Sequence, residues 1–360
     1  MAELELDKLL TFTTQQGASD LVLKTGAPPT LRLYGDLVRM KLDPLTPEDS
    51  RRLAYSAIND LQRRQFEEGL ELDYAYELPG VSRFRCNIMV QRGQVTSCYR
   101  VIPYEIKPLS ELGAPESCYR LADYPRGLVL VTGPTGSGKT TTLAAMIDYI
   151  NERKPLHVMT VEDPVEFVHE DKVALINQRE LGRDTVSFAD ALKYVLRQDP
   201  DVILIGEMRD LETIGLAITA AETGHLVFGT LHTTNAVSTV DRMIDVFPPH
   251  QQQQIRMQVS VNLVGVVSQT LCRTVDGQGR VAAFEVMEAI PAIRNLIREG
   301  KSHQIGSIVQ TGTKRGMQSL DQALAKLVIE GKADMDSARS KCNDIAEFEE
   351  LVAEARSRDS

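Results

Sequence analysis

The chain has 360 residues, 42% hydrophobic and 25% charged, an ordinary globular composition at a length that suggests two domains. Its formal net charge of −10 argues against a general nucleic-acid binder, whose affinity rests on excess basic residues. No apolar run approaches the roughly 18 residues that span a bilayer, and the acidic start Met1-Ala2-Glu3-Leu4-Glu5 lacks the layout of a signal peptide. Five cysteines (Cys86, Cys98, Cys118, Cys272, Cys342) with no Cys-x-x-Cys pair argue against a zinc ribbon or disulfide framework, and point to reduced thiols in a cytoplasm.

Taken in chain order, Leu4–Phe12 carries apolar residues at near-helical spacing and ends in the turn Gln16-Gly17-Ala18-Ser19. Leu21–Leu23 and Thr30–Tyr34 read as strands, and Thr46-Pro47-Glu48 as a capped helix start. Strands follow at Leu72–Tyr76, Phe84–Val90 and Val95–Val101, so residues 1–101 make a small α+β domain. Pro103, Pro108 and Pro115 mark residues 102–117 as a linker. From 118 to 360 the pattern changes. Gly127–Thr132, His157–Val161, Val202–Ile205 and Leu226–Leu231 are short apolar strands alternating with helical stretches, the signature of a largely parallel α/β sheet. Helices dominate after Pro291, over Ile293–Arg298, Ser319–Glu330 and Ile345–Arg356.

Gly133-Pro134-Thr135-Gly136-Ser137-Gly138-Lys139-Thr140 matches the phosphate-binding P-loop at every fixed position, with an apolar strand before it and the helical stretch Thr141–Ile150 after it. The glycines let backbone N–H groups converge on phosphates at a helix N-terminus. Lys139 then reaches the β- and γ-phosphates of ATP, and the Thr140 hydroxyl ligates Mg²⁺. Val202–Ile205 leads into Gly206-Glu207, a Walker B layout in which Gly206 stands where a metal-binding Asp is usual. Glu207 is the candidate to orient the attacking water or to contact the metal through water. A second acidic run, Glu162-Asp163-Pro164-Val165-Glu166, also follows a strand, at the sheet edge where ligands bind. Glu162 is therefore a candidate Mg²⁺ group, directly or through water. His225 and His232 flank Leu226–Leu231, and Arg83, Arg85, Arg92 and Arg100 sit on anticipated strands of the first domain.

These motifs together resemble the secretion ATPases of type IV pili and type II secretion, which carry a P-loop, an Asp box, a Walker B strand ending Gly-Glu, and a His box. The counterparts here are Gly133–Thr140, Thr160–Glu166, Val202–Glu207 and Thr223–Thr234. Ala292-Ile293-Arg294-Asn295-Leu296-Ile297 is similar to a six-residue run of the family's retraction branch. The resemblance implies an α/β protein with a PAS-like N-terminal domain, a RecA-like ATPase domain with extra C-terminal helices, and a homohexameric ring. It implies catalytic roles for Glu207, Glu162, His232, Arg85 and Arg100, and nucleotide binding by Gly133–Thr140 with Thr141. The implied protein is cytoplasmic and peripheral, docks at the inner membrane on a pilus platform protein, binds no nucleic acid, and powers pilus retraction. An accessory retraction paralogue, or a pilus-assembly or type II secretion ATPase, is the alternative.

Overall fold

A computed structural model describes residues 4–33, 35–102 and 105–358 and separates into two compact units, Met1–Glu105 and Ile106–Ser360. Tyr34, the end of one anticipated strand, and Pro103, the first of the linker prolines, lie outside the described residues.

The first unit runs α1 (Leu6–Gln15), β1 (Asp20–Lys24), β2 (Thr30–Leu33), β3 (Asp36–Arg39), α2 (Pro47–Tyr55), α3 (Asp60–Gly69), β4 (Glu71–Leu78), β5 (Ser82–Gln91) and β6 (Gln94–Ile102). Its sheet has the order β3-β2-β1-β6-β5-β4, antiparallel throughout. Leu10, Leu21, Phe84 and Tyr99 are fully buried in its core, each worth about 1.5–3 kcal/mol as burial alone. The Thr46 signal is realised as a capping box with Asp49 on α2. Helix α3 was not anticipated, although Asn59 and Gln62 form the same box at its start. Strands β5 and β6 meet in a two-residue turn, Arg92-Gly93, with both φ positive (50° and 72°). That backbone matches strand twist, and it places Arg92 in a turn rather than on a strand.

The second unit opens with α4 (Glu116–Ala122). Within residues 102–117, the stretch from Ile106 onward belongs to this unit, where Leu109 shares a buried cluster with Cys118 and Leu121. There follow β7 (Gly127–Thr132), α5 (Lys139–Asn151), β8 (His157–Glu162), β9 (Leu175–Glu180), α6 (Phe188–Val195), β10 (Val202–Ile205), α7 (Leu211–Glu222), β11 (Leu226–Leu231), α8 (Ala236–Asp245), α9 (Pro249–Asn262), β12 (Leu263–Arg273) and β13 (Arg280–Glu288). The chain ends in α10 (Pro291–Glu299), α11 (Ile305–Thr311), α12 (Leu320–Ile329), α13 (Met335–Arg339) and α14 (Ile345–Arg358). The sheet order is β13-β12-β7-β11-β10-β8-β9. All its neighbours are parallel except β12 and β13. Every residue of β7, β10 and β11 is buried because helices cover both faces. Among the described residues no helix is long and apolar enough to cross a membrane.

Candidate active site

The parallel strands deliver their following loops to one edge of the sheet in the order β7, β11, β10, β8. Along that edge stand the P-loop, His232, Glu207 and Glu162, each just at or beyond a strand's C-terminus. This is the edge where open α/β sheets bind ligands.

After β7 the backbone turns at Gly133 (φ 143°), where a Cβ would lie 2.2 Å from the Gln269 carbonyl oxygen and 2.6 Å from Ser137 Oγ. No side chain fits there. Gly138, the left-handed N-cap of α5 (φ 88°), lets the loop enter the helix directly. Gln269 on β12 donates its Nε2 to the Ser137 carbonyl at 2.6 Å, holding the loop from the neighbouring strand. Among the described residues, Ser137 Oγ is buried without a hydrogen-bond partner, and α5 carries no side-chain cap. A loop that presents unpaired donors at a helix N-terminus suits a phosphate chain. Lys139 Nζ donates to the carbonyls of Gly133 (2.8 Å) and Pro134 (3.1 Å). Burial depresses the Lys139 pKa, against the opposing charges of Glu207 and Glu166.

Glu207 is held at both oxygens. Arg209 grips it through Nε on Oε1 (2.6 Å) and Nη2 on Oε2 (2.7 Å), and His232 Nε2 donates to Oε1 at 2.7 Å. Burial alone would raise the Glu207 pKa, but the hydrogen bond and charge of Arg209, with His232, hold it below the ordinary carboxylate value. The turn that carries Glu207 is tied to β11, since Met208 N donates to the Thr230 carbonyl and Thr230 Oγ1 to the Gly206 carbonyl. Gly206 itself has a packing reason. A Cβ there would sit 3.1 Å from Glu162 Cα and 3.2 Å from the Val161 carbonyl, so the close approach of β10 to β8 leaves little room for an aspartate. Glu162 is buried and accepts from Thr160 Oγ1 (2.7 Å) and Gln178 Nε2 (3.1 Å). Burial pushes its pKa up to about 7 despite those donors. His225 is spent structurally, its Nδ1 3.2 Å from Thr223 Oγ1 and 2.9 Å from the Ala220 carbonyl.

Beside the P-loop lies a cavity of about 860 Å³ whose walls include Gly138, Thr141, Thr142, Gln269, Leu271 and Phe284. In the first unit, Arg85 and Arg100 are direct cross-strand partners on β5 and β6, both exposed. Arg100 Nε pairs with the buried Asp20 carboxylate at 2.9 Å.

Four residues of this edge were not singled out from sequence. Glu166 was quoted only as part of the acidic run, Arg209 lies two positions past Glu207, and Gln178 and Gln269 are brought in by β9 and β12. Only Arg209 carried a local signal, a cation next to a strand-end acid.

A parallel sheet with a P-loop after β7, acids after β8 and β10 and a histidine after β11 defines a P-loop nucleoside triphosphatase. A model of the type II/IV secretion system protein family matches residues 110–340. The chain belongs to that family, the one read from the four sequence motifs, and it is an ATPase. It is 54% identical over 338 residues to the type IV pilus retractation ATPase PilT of Pseudomonas aeruginosa, covering 94% of this chain and 98% of that protein. It is 53% identical over 313 residues to a twitching motility protein of Neisseria gonorrhoeae, 87% and 84% of the two chains. The crystal structure of a pilus retraction motor, PilT with bound ADP, superposes with a TM-score of 0.91 at 46% identity, over 97% of this chain and all of that one.

Proposed function

We propose that this chain is the ATP-hydrolysing motor of type IV pilus retraction, acting as a homohexamer at the cytoplasmic face of the inner membrane against the pilus platform protein. The carrying observation is an intact P-loop and acid–histidine edge in a chain 54% identical, over nearly its full length, to a pilus retractation ATPase.

ATP is cradled by Gly133–Thr140, with Lys139 leaving the loop carbonyls for the β- and γ-phosphates and the base side entering the cavity beside Thr141. The Thr140 hydroxyl and, through water, Glu162 are the groups to hold Mg²⁺. Glu162 suits that task, since a buried carboxyl pushed up to about 7 gains from a nearby cation. Magnesium, carried in on the phosphates, would neutralise charge on the β- and γ-oxygens. Glu207 orients and polarises the attacking water, and His232 fixes its direction. Arg209 and His232 both donate to Oε1, while Oε2, which accepts from Arg209, keeps a lone pair for a water proton. Arg85 and Arg100 supply cations to the γ-phosphate, a role worth about 10³–10⁵ in rate where it is known.

Gene deletion followed by pilus counting tests the reading. Loss of a retraction motor leaves cells heavily piliated and non-motile, whereas bald cells would make this chain an assembly ATPase.

A further inference from the structure

A second cavity, of about 430 Å³, opens where β13 runs into α10, with Arg315 on its far wall. Three arginines line it: Arg294, Arg298 and Arg315. Arg294 is fixed by carbonyls, Nε to Ala289 (2.7 Å) and Nη1 to Val261 (2.6 Å), and forms no ion pair among the described residues. Arg298 and Arg315 are exposed and form no ion pair among the described residues. The single acid in the lining, Glu288, is already taken by Arg120, which also donates to the Arg315 carbonyl at 2.6 Å and so pins that wall. The cleft therefore carries a surplus of positive charge, with Glu299 beside Arg298 acting on it electrostatically, in a chain whose net charge is −10. Ile290, Pro291 and the exposed ring of Tyr124 supply apolar surface beside it.

The helix that forms one wall spends its isoleucines on the core. Ile293 and Ile297 are fully buried in the core of the second unit, and Leu296 packs partly against it. What α10 exposes is Pro291, Ala292, Asn295, Arg298 and Glu299.

We propose that this cleft docks an acidic peptide segment of a protein partner, its carboxylates on Arg298 and Arg315 and an apolar side chain against Tyr124, Ile290 and Pro291. An inorganic phosphate would meet only two exposed arginines and one whose donors are partly used, and exposed ion pairs contribute little singly. A peptide adds its apolar contacts and several carboxylates, and guanidinium forks suit carboxylates in pairs. None of these groups belongs to the ATPase edge.

The test is fluorescence anisotropy on the full-length protein at low ionic strength, with a labelled peptide of alternating glutamate and leucine. Wild-type protein binds it, and Arg298→Glu with Arg315→Glu weakens binding by about tenfold or more. The same double variant gains binding to the lysine–leucine counterpart, while ATP turnover stays within about twofold of wild type. Arg298→Gln with Arg315→Gln, checked by thermal melting, separates loss of charge from loss of fold. The proposal fails if wild type does not bind the acidic peptide, if the double reversal leaves binding unchanged, or if inorganic phosphate displaces the peptide at equal concentration.

Discussion

At the scale of single residues, the state of Glu207 decides what the site can do. It is a carboxylate with a low pKa, gripped by a cation at both oxygens, which favours charge but opposes proton uptake. Removing Arg209 leaves burial pushing the pKa upward with one fewer cation, beside His232 and Lys139, to oppose it. Arg209→Ala should therefore move the acid limb of the kcat/KM profile to higher pH, measured by phosphate release across the acid range. An unmoved limb would mean that Glu207 is not the group that the profile reports. Glu207→Gln should abolish turnover while keeping ATP affinity, because the amide preserves shape and loses the base. Among the described residues Lys139 Nζ bonds only loop carbonyls, so Lys139→Ala should lower turnover by at least about 100-fold, roughly 2.7 kcal/mol of barrier, with an unchanged circular dichroism melt.

At the scale of elements, two features link helices to function in ways a motif does not show. The first is α10. The run Ala292–Ile297 offers an apolar face that invites reading as a surface that transmits movement or binds a partner, yet Ile293 and Ile297 are core residues. Ile297→Ala should cost about 2–4 kcal/mol in denaturant titration, the cost of a cavity, whereas Asn295→Ala should be nearly neutral. Polar residues at Leu296 and Ile297 would thus report on folding before they report on motion. The second is Glu285, buried on β13 and accepting from the first backbone N–H groups of both α8 and α12, Ala236 and Leu320. Burial raises its pKa from 4.5 to about 7. A raised carboxyl contributes its stability below the unfolded value and loses it as pH climbs through the folded value. Wild-type stability should accordingly fall between about pH 4.5 and about pH 7, by on the order of 3 kcal/mol at most. Glu162 adds to the slope in the same direction. Glu285→Gln should flatten part of that slope in thermal melts, and an identical slope would show that Glu285 does not titrate there.

At the scale of the whole molecule, the proposed mechanism needs cations from the first unit and a P-loop from the second. Arg85→Ala should cut turnover by at least about tenfold while leaving the melting temperature in place, since Arg85 is an exposed strand residue. Arg100→Ala is a less clean probe. It strips the 2.9 Å partner from the buried Asp20, which keeps Arg32 at 3.6 Å and the Ser19 hydroxyl at 2.8 Å, so stability should drop as well. Normal turnover in Arg85→Ala, read by phosphate release, would remove that residue from the mechanism.

The sequence by itself determined whatever depends on contiguous residues. Eight consecutive positions specify the P-loop because its geometry is local backbone conformation. The bounds of β7, β10 and β11 came out residue for residue because a strand covered on both faces must be an unbroken apolar run. The family followed from four such local motifs. Tertiary structure alone decided which side chains meet. Gln269 reaches Ser137 across more than a hundred positions because β12 lies beside β7, and Glu207 meets His232 because β10 lies beside β11. The antiparallel pair β12–β13, the packing of Gly206 against Glu162 and the placing of Arg315 beside Arg294 and Arg298 have no local signature either. Hydrophobic periodicity places a residue inside or outside, but the partner of a buried or charged group is set by strand order and crossover.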